Sequence, residues 1–371
     1  MSVKTVTCIV GARPNFMKIA PIMEEVRRRP GLHARLIHTG QHFSPEMSAS
    51  FFNDLSISEP DEHLGVEAGT QTQQTASMMR SLESSFVANR PDLVVVVGDV
   101  TSTLAATLVA AKLEIRVAHV EAGLRSFDRR MPEEINRLVT DTLSDYLFVS
   151  EPSGVANLRN EGVPEEKIFF VGNVMIDTLL RFRDRAMQSD VLQRYGLAAK
   201  SYALATLHRP SNVDHPEKLR KLAGVLIRIS ERLPVIFPVH PRTRLRWEEL
   251  KLPENHLILT PPLGYLDFLR LMSDARLMLT DSGGIQEETA ILKVPCLTLR
   301  DNTERPATIA AGSNRLVGTD PIAAFDAAVQ ILESGDLKII APELWDGHAS
   351  GRIVDIVERL LRDPRDQAIG S

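Results

Sequence analysis

Cysteine is nearly absent: Cys8 and Cys296 are the only two in 371 residues, in opposite halves and each inside an apolar run, VTCIV and VPCLTL. That excludes a disulfide scaffold and predicts two buried free thiols in a reducing compartment. Charge of one sign is also missing. The formal net charge is −5, so neither nucleic acid nor an anionic membrane is an expected partner, and any anionic ligand must meet locally placed cations. No apolar run approaches the length of a membrane span. The opening MSVKTVTCIVGARP passes straight into a strand pattern and is too short and polar for a signal peptide, so a cytoplasmic protein is expected. Low-complexity segments and short solenoid repeats are lacking, as are HxH and HExxH spacings, which makes a metal site a poor fit. The phosphate-binding pattern ending in Gly-Lys-Ser/Thr does not occur either.

What is present is a rhythm. Short apolar, β-branched runs (VKTVTCIV, DLVVVVGD, RVAHVEAG, YLFVS, IFFVGN) alternate with helical patterns, for example from about Asn15 to Arg29 and through PEEINRLVTDTL. The second half repeats it with YALATLH, PVIFPVH, HLILTPP, RLMLTDSGG and VPCLTLR. Continuous apolar strands separated by helices imply parallel sheets covered on both faces. The length exceeds what one core usually organises. The expected fold is therefore α/β, with two Rossmann-like doubly wound domains facing a central cleft. The boundaries expected are 1–174 and 175–356, with the polar, Arg-rich stretch Asp177–Lys200 as the switch. An amphipathic helix is expected near Gly351–Arg362 with a frayed tail DPRDQAIGS after it, and a C-terminal helix over about 357–371 is expected to pack back on the first domain.

Polar residues cluster where such sheets bind ligands. Arg13, Asp99, Glu121, His208, His240 and Ser282 each follow an apolar strand, and ligands sit at the carboxyl ends of strands in open α/β sheets. In GARPNFMK (11–18), Pro14 and Asn15 start a helix whose free N–H groups favour an anion, with Arg13 and Lys18 adding charge. Lys18 so near a helix start opposes the macrodipole unless an anion is close. In DSGGIQEE (281–288), Gly283 and Gly284 allow backbone amides to approach phosphate, Ser282 offers a hydroxyl and Glu288 could accept from a ribose diol. The alternatives are a plain strand–helix turn and a solvated acidic helix. Glu121 closes a buried strand, where an isolated carboxylate is costly unless paired or used. Helix capping competes with chemistry for Glu133 and Glu134, and also for Asp99 ahead of Thr101–Leu113. TLHR (206–209) and PVHPR (238–242) place His208 and His240 after two successive strands, followed by Arg209 and by Pro-Arg; His33, His38 and His63 lack such support.

In this order these segments resemble the non-hydrolysing UDP-N-acetylglucosamine 2-epimerase family: GARPNFMKIAP, VVGD, HVEAGLRS, MPEEINR, VGNVMIDTL, TLHRPSN, FPVHPR, LTDSGGIQEE and RDNTERP. Each motif is weak alone; together they span nearly the whole chain. The resemblance implies a GT-B-like fold, a homodimer, no nicotinamide cofactor and no catalytic metal. It implies reversible epimerisation at C2 by anti elimination of UDP, through an enzyme-held 2-acetamidoglucal, and re-addition. It carries acid/base roles onto Asp99, Glu121, Glu133 and His208 with Lys18 nearby, and diphosphate contact onto Arg13, Ser282, Gly283, Gly284 and Arg305. Uracil recognition falls on Leu263 and Phe268, and the ribose on Glu288.

One departure concerns regulation. Several bacterial members hold a second UDP-N-acetylglucosamine at a QHRxM segment. Here it reads QHFSPEM, with Gln41 and His42 kept and two residues added, and no arginine appears in LGVEAGTQTQQ. Activation of the familiar kind is not expected, and other UDP-2-acetamido sugars enter as candidate substrates. Three further readings share the nucleotide-sugar site: a GT-B glycosyltransferase, a hydrolysing epimerase and a non-catalytic nucleotide-sugar sensor. The clustered carboxylates of HVEAG and PEEINR weigh against the transferase.

Overall fold

A computed structural model describes residues 3–40, 59–66, 69–254, 256–334 and 337–362. The chain forms two compact units, Met1–Thr178 with Glu343–Ser371, and Leu179–Pro342.

The first unit is built on β1 (Lys4–Val10), β2 (Leu32–His38), β3 (Glu62–His63), β4 (Leu93–Val97), β5 (Val117–Val120), β6 (Tyr146–Val149) and β7 (Ile168–Phe170). Among the described residues their order is β3-β2-β1-β4-β5-β6-β7, and every pairing is parallel. Parallel strands need crossover helices, which cover both faces, and that is why these strands read as unbroken apolar runs. In β4 all five residues, LVVVV, are buried. Val94 and Val96 belong to one cluster with Met78, Leu82 and Phe86 of the Gln71–Ala88 helix, and with Ala105, Ala106 and Val109 of the Thr101–Lys112 helix. Each buried side chain of this size contributes roughly 1.5–3 kcal/mol.

The second unit repeats the plan with β8 (Ala203–Thr206), β9 (Val235–Pro238), β10 (Leu257–Thr260), β11 (Leu277–Thr280), β12 (Cys296–Thr298) and β13 (Asn314–Leu316). Their order is β10-β9-β8-β11-β12-β13, again parallel throughout. Both sheets reverse direction once, between β1 and β4 and between β8 and β11. Those are the topological switch points, where open α/β sheets leave a crevice at the carboxyl edge.

The stretch expected as a polar linker is largely helical. Val174–Ala186 is one helix whose Val174, Met175, Ile176, Leu179, Phe182 and Ala186 are buried, so the dividing line between units falls inside it. Its arginines project from an apolar stripe at helical spacing, and a charge-rich composition hid that periodicity. The closing helix runs Ala349–Arg362 and packs on the Arg13–Arg27 helix of the first unit. Its amino end is tied down by Asp177, whose two oxygens accept from the Ala349 and Ser350 amides at 3.1 and 2.7 Å. Both cysteines are free and buried, and burial pushes each thiol up to about 12. No helix among the described residues is long and apolar enough to cross a membrane.

Candidate active site

In the first unit the strand ends gather a paired set of acids and cations. The Arg13–Arg27 helix begins directly after β1 and Gly11–Ala12, with Pro14 in its first turn. Lys18 therefore lies in the second turn, where its buried ammonium forms an ion pair with Glu121 Oε2. The anion that its position asks for is supplied by the protein itself. Glu121 is 3% exposed and holds the left-handed conformation at φ +71, a backbone state that costs about 1–3 kcal/mol for a non-glycine residue. Gly98 makes room for this pair. It too is left-handed, at φ +69, and a Cβ there would meet Glu121 Oε2 at 3.2 Å and Lys18 Nζ at 3.4 Å. Asn15 Nδ2 closes the same corner by donating to the Val97 carbonyl at 2.7 Å.

Asp99 does not cap the following helix. Its N-cap is Val100, with no side-chain capping bond, and Asp99 Oδ2 instead accepts from Arg137 Nε and Nη2 at 3.1 and 2.7 Å. The Asp99 carbonyl accepts from Asn136 Nδ2 at 2.8 Å. Both partners come from the Pro132–Leu143 helix, so Asp99 is fastened to the element that carries the Glu pair. That pair divides. Glu134, 2% exposed, accepts from the amides of Ser126 and Phe127 and from Ser126 Oγ, and is paired with Arg137. It anchors the preceding loop. Glu133 is half-buried and takes no partner among the described residues, which leaves its carboxylate available for chemistry.

The second unit carries a histidine–carboxylate dyad. His208 follows β8, and its Nδ1 lies 2.7 Å from Oδ1 of Asp281, which follows β11. The two residues thus come from the strands that flank the switch point. Asp281 is fully buried and also accepts from the amides of His208 and Arg209 and from Asn212 Nδ2. Burial pushes its carboxyl up, but His208 and these donors outweigh that and bring it below its usual value. With Nδ1 engaged, the ring, whose side chain is 57% exposed, presents Nε2. A carboxylate that orients one imidazole nitrogen fixes the role of the other.

Ser282 is the N-cap of the Gly283–Leu292 helix and makes no side-chain capping bond. Gly283 is required by crowding as well as by any ligand: a Cβ would meet Glu304 Oε1 at 2.9 Å. Behind the turn lies a buried ionic layer. Arg305 pairs with Glu287 at 2.5 Å, Arg300 with Glu304 at 2.7 Å, and Arg209 lies 3.6 Å from Glu304. Burial opposes the Glu304 charge, yet Arg305, Arg300 and Arg209 hold it far below the usual carboxylate range. Glu288 is the reverse case. Burial first, then the neighbouring Glu287 charge, push it up to about 8, while the Tyr265 hydroxyl donates to Oε1 at 3.4 Å. Leu263 and Phe268 are half-buried at the start of the Tyr265–Asp274 helix.

Each expected strand-end residue thus sits at the carboxyl edge of its sheet. Arg13 is placed as the first residue of its helix; Gln41 and His42 lie outside the described residues. Sequence reasoning missed Asp281, Arg137 and Tyr265. Asp281 had a legible signal, since it is an isolated acid ending the apolar run RLMLT, the same sign that singled out Glu121. Arg137 could be read only as three residues on from Glu134, a spacing shared by many surface pairs.

Comparison with known proteins decides the family. Residues 24–358 match the model of the UDP-N-acetylglucosamine 2-epimerase family. The chain belongs to that family. It is 45% identical over 364 residues to the UDP-N-acetylglucosamine 2-epimerase of Methanocaldococcus jannaschii, covering 94% of this chain and 97% of that one. It is also 40% identical over 359 residues to the UDP-2,3-diacetamido-2,3-dideoxy-D-glucuronate 2-epimerase of Pseudomonas aeruginosa, covering 95% and 99%. Among solved structures, the M. jannaschii epimerase in complex with UDP-GlcNAc and UDP matches with a TM-score of 0.89 at 41% identity, over 96% of this chain and 99% of that one. The Neisseria meningitidis epimerase bound to UDP-GlcNAc matches with a TM-score of 0.88 at 30% identity, over 96% and 100%. These likenesses and the two parallel α/β units bear out the GT-B-like fold class of this epimerase-family chain.

Proposed function

We propose that this chain catalyses reversible inversion at C2 of a UDP-linked 2-acetamido sugar, with UDP-N-acetylglucosamine and its manno epimer as the reference pair. The observation that carries the reading is the acid/base set at one sheet edge: Glu121 on Lys18, Asp99 on Arg137, and Glu133 with no partner among the described residues. Inversion through elimination needs groups that take and return a proton at C2 on opposite faces. Glu121 and Glu133 are assigned to those steps, and Asp99 sets the charge of its neighbours. As the C2 proton leaves, the C1–O bond breaks and UDP departs with the electron pair, leaving a C1=C2 double bond. Protonation of C2 from the other face and re-addition of the phosphate oxygen to C1 complete the cycle.

UDP must leave as an anion and yet stay bound, so the second unit, with its Ser282–Gly284 turn and His208, is assigned the nucleotide. His208 Nε2 serves the leaving phosphate, Arg13 and Arg305 add positive charge, Glu288 takes the ribose and Leu263 with Phe268 the uracil. A cytoplasmic homodimer is the working assembly. The test is incubation with UDP-N-acetylglucosamine in deuterated water, read by NMR. Deuterium at C2 of a sugar still bonded to UDP is the expected result; a C2 that stays protonated overturns the reading. The same assay on UDP-2,3-diacetamido-2,3-dideoxy-D-glucuronate decides which sugar is preferred, since relatives of both kinds are about equally similar.

A further inference from the structure

The acid/base residues of the first unit stand on three separate segments: Gly98–Asp99 after β4, Glu121 after β5, and the Pro132–Leu143 helix. Arg137 and Asn136 already fasten the helix to Asp99, which leaves the Glu121 segment to be joined to both. Beneath them lies a fully buried polar group that the reaction itself does not use. Asp141, one turn from the end of the helix and 3% exposed, spends both carboxylate oxygens on the chain around Glu121. Oδ1 lies 2.6 Å from Nδ1 of His119, and Oδ2 accepts from the Gly123 amide at 3.0 Å and pairs with Arg125 Nη1 at 2.7 Å. His119 is 0% exposed, and its Nε2 lies 2.9 Å from the Gly98 carbonyl. Nδ1 thus faces a carboxylate oxygen and Nε2 a carbonyl oxygen, and the ring spans the two segments.

We propose that Asp141 is a positioning residue for the epimerisation: it ties the Glu133-bearing helix to the Glu121 turn directly, and to the Gly98–Asp99 turn through His119. The proposal rests on the reading above for what is positioned, not for the clamp itself. A left-handed Glu121 is held on both sides, at His119 and at Gly123 with Arg125, so its strained backbone is over-determined by neighbours rather than by its own preference. Arg125 is steadied in turn by a bidentate pair with Glu161, at 2.8 and 2.6 Å. The acid keeps its charge in this setting. Burial pushes the Asp141 carboxyl up, but His119 and Arg125 outweigh it and bring it below its usual value. Support of this kind places reacting groups within the fraction of an ångström that catalysis needs.

Asp141→Leu is the direct test, because a side chain of similar size with no acceptor releases both the His119 side and the Gly123–Arg125 side. Three readouts are taken on protein shown to be folded and well below its melting temperature. We expect kcat for C2 inversion to fall at least tenfold, with UDP affinity within twofold of the parent. Amide hydrogen exchange at Gly98 and Gly123 should quicken at least tenfold, with the β4 and β5 amides unchanged. A kcat within threefold of the parent overturns the proposal, as does unchanged exchange at both glycines. A fall in kcat and UDP affinity by the same factor assigns Asp141 to general stability and also overturns it. Should Asp141→Leu not fold, His119→Phe removes both ring nitrogens and so severs the Gly98 link while leaving Arg125 and Gly123 on Asp141. Its expected mark is faster exchange at Gly98 alone with a lowered kcat, and no change in either overturns the proposal. If the parent enzyme itself shows no exchange at C2, the proposed function fails, and the amide-exchange arm still decides the clamp.

Discussion

The two units use the same sheet plan and both pair most of their buried carboxylates with cations, as with Glu134 on Arg137 and Glu304 on Arg300, but the second holds an exception. In the first, every candidate acid but Glu133 lies against a cation: Glu121 on Lys18, Asp99 on Arg137, Asp141 on Arg125. At Asp141 the neighbouring His119 and Arg125 outweigh burial and hold the carboxyl below its usual value. In the second unit Glu288 sits beside another carboxylate, Glu287, whose cation is Arg305, and is pushed up to about 8. Burial and that neighbouring charge favour its protonated form. The contrast teaches that an ion pair and a like charge act on a buried carboxylate with opposite sign.

The sharpest way to break that contrast is Glu121→Gln, which keeps shape and removes the proton acceptor. Turnover should fall by about two or more orders of magnitude, the scale of lost acid/base catalysis, while calorimetry with UDP shows little change. Near-parental turnover would remove Glu121 from the proton path.

Next in size is a pH effect on stability carried by Glu288 of the second unit. The folded state holds the Glu288 proton more tightly than the unfolded chain, so its contribution is fully present below about pH 4.5 and is lost as pH rises through about 8. Measured against Glu288→Gln, the parent should lose stability between those limits in denaturant unfolding, by an amount on the order of a few kcal/mol if burial acts undiluted. His38, whose imidazole burial lowers to about 4, acts in the opposite sense in both proteins. Glu288→Gln should flatten the slope. A slope unchanged by that substitution would mean that another group carries it.

Asp281→Asn should act more mildly. It leaves the fold of the β8–β11 edge but removes the anion that orients His208, so kcat should drop about tenfold with UDP affinity within a few fold. A loss confined to UDP binding would place the dyad in recognition instead. The smallest effects are expected from Arg13→Ala and Ser282→Ala, each a diphosphate contact and each worth about a tenfold loss in UDP affinity at most, on the scale of one charge-assisted hydrogen bond. Unchanged affinity in both variants would remove the diphosphate from these positions.

Periodicity made most of the fold legible. LVVVV and RLMLT cannot be solvent-facing strands, and their spacing from helical segments demands crossovers. The site's outline was legible for the same reason, because an acid or histidine ending an apolar strand has few inexpensive explanations. The division between units falls within the stretch Asp177–Lys200, but the helix that carries it was not legible there, because its arginines mask the stripe Val174, Met175, Leu179, Phe182. Lys18 was legible as a cation in want of an anion, but not as the partner of a residue 103 positions away.

The sequence alone therefore determined the alternation of strands and helices, the two parallel α/β domains, and the residues that end each strand. These depend on local pattern and on burial, both of which are written along the chain. Only the tertiary structure decided the pairings: Lys18 with Glu121, Arg137 with Asp99 rather than with solvent, His208 with Asp281, and Glu134 spent on a loop while Glu133 is not. Pairing depends on which strand ends the sheet order makes neighbours. Strands β1 and β4, like β8 and β11, are far apart in sequence and meet only when the sheet closes around its switch point.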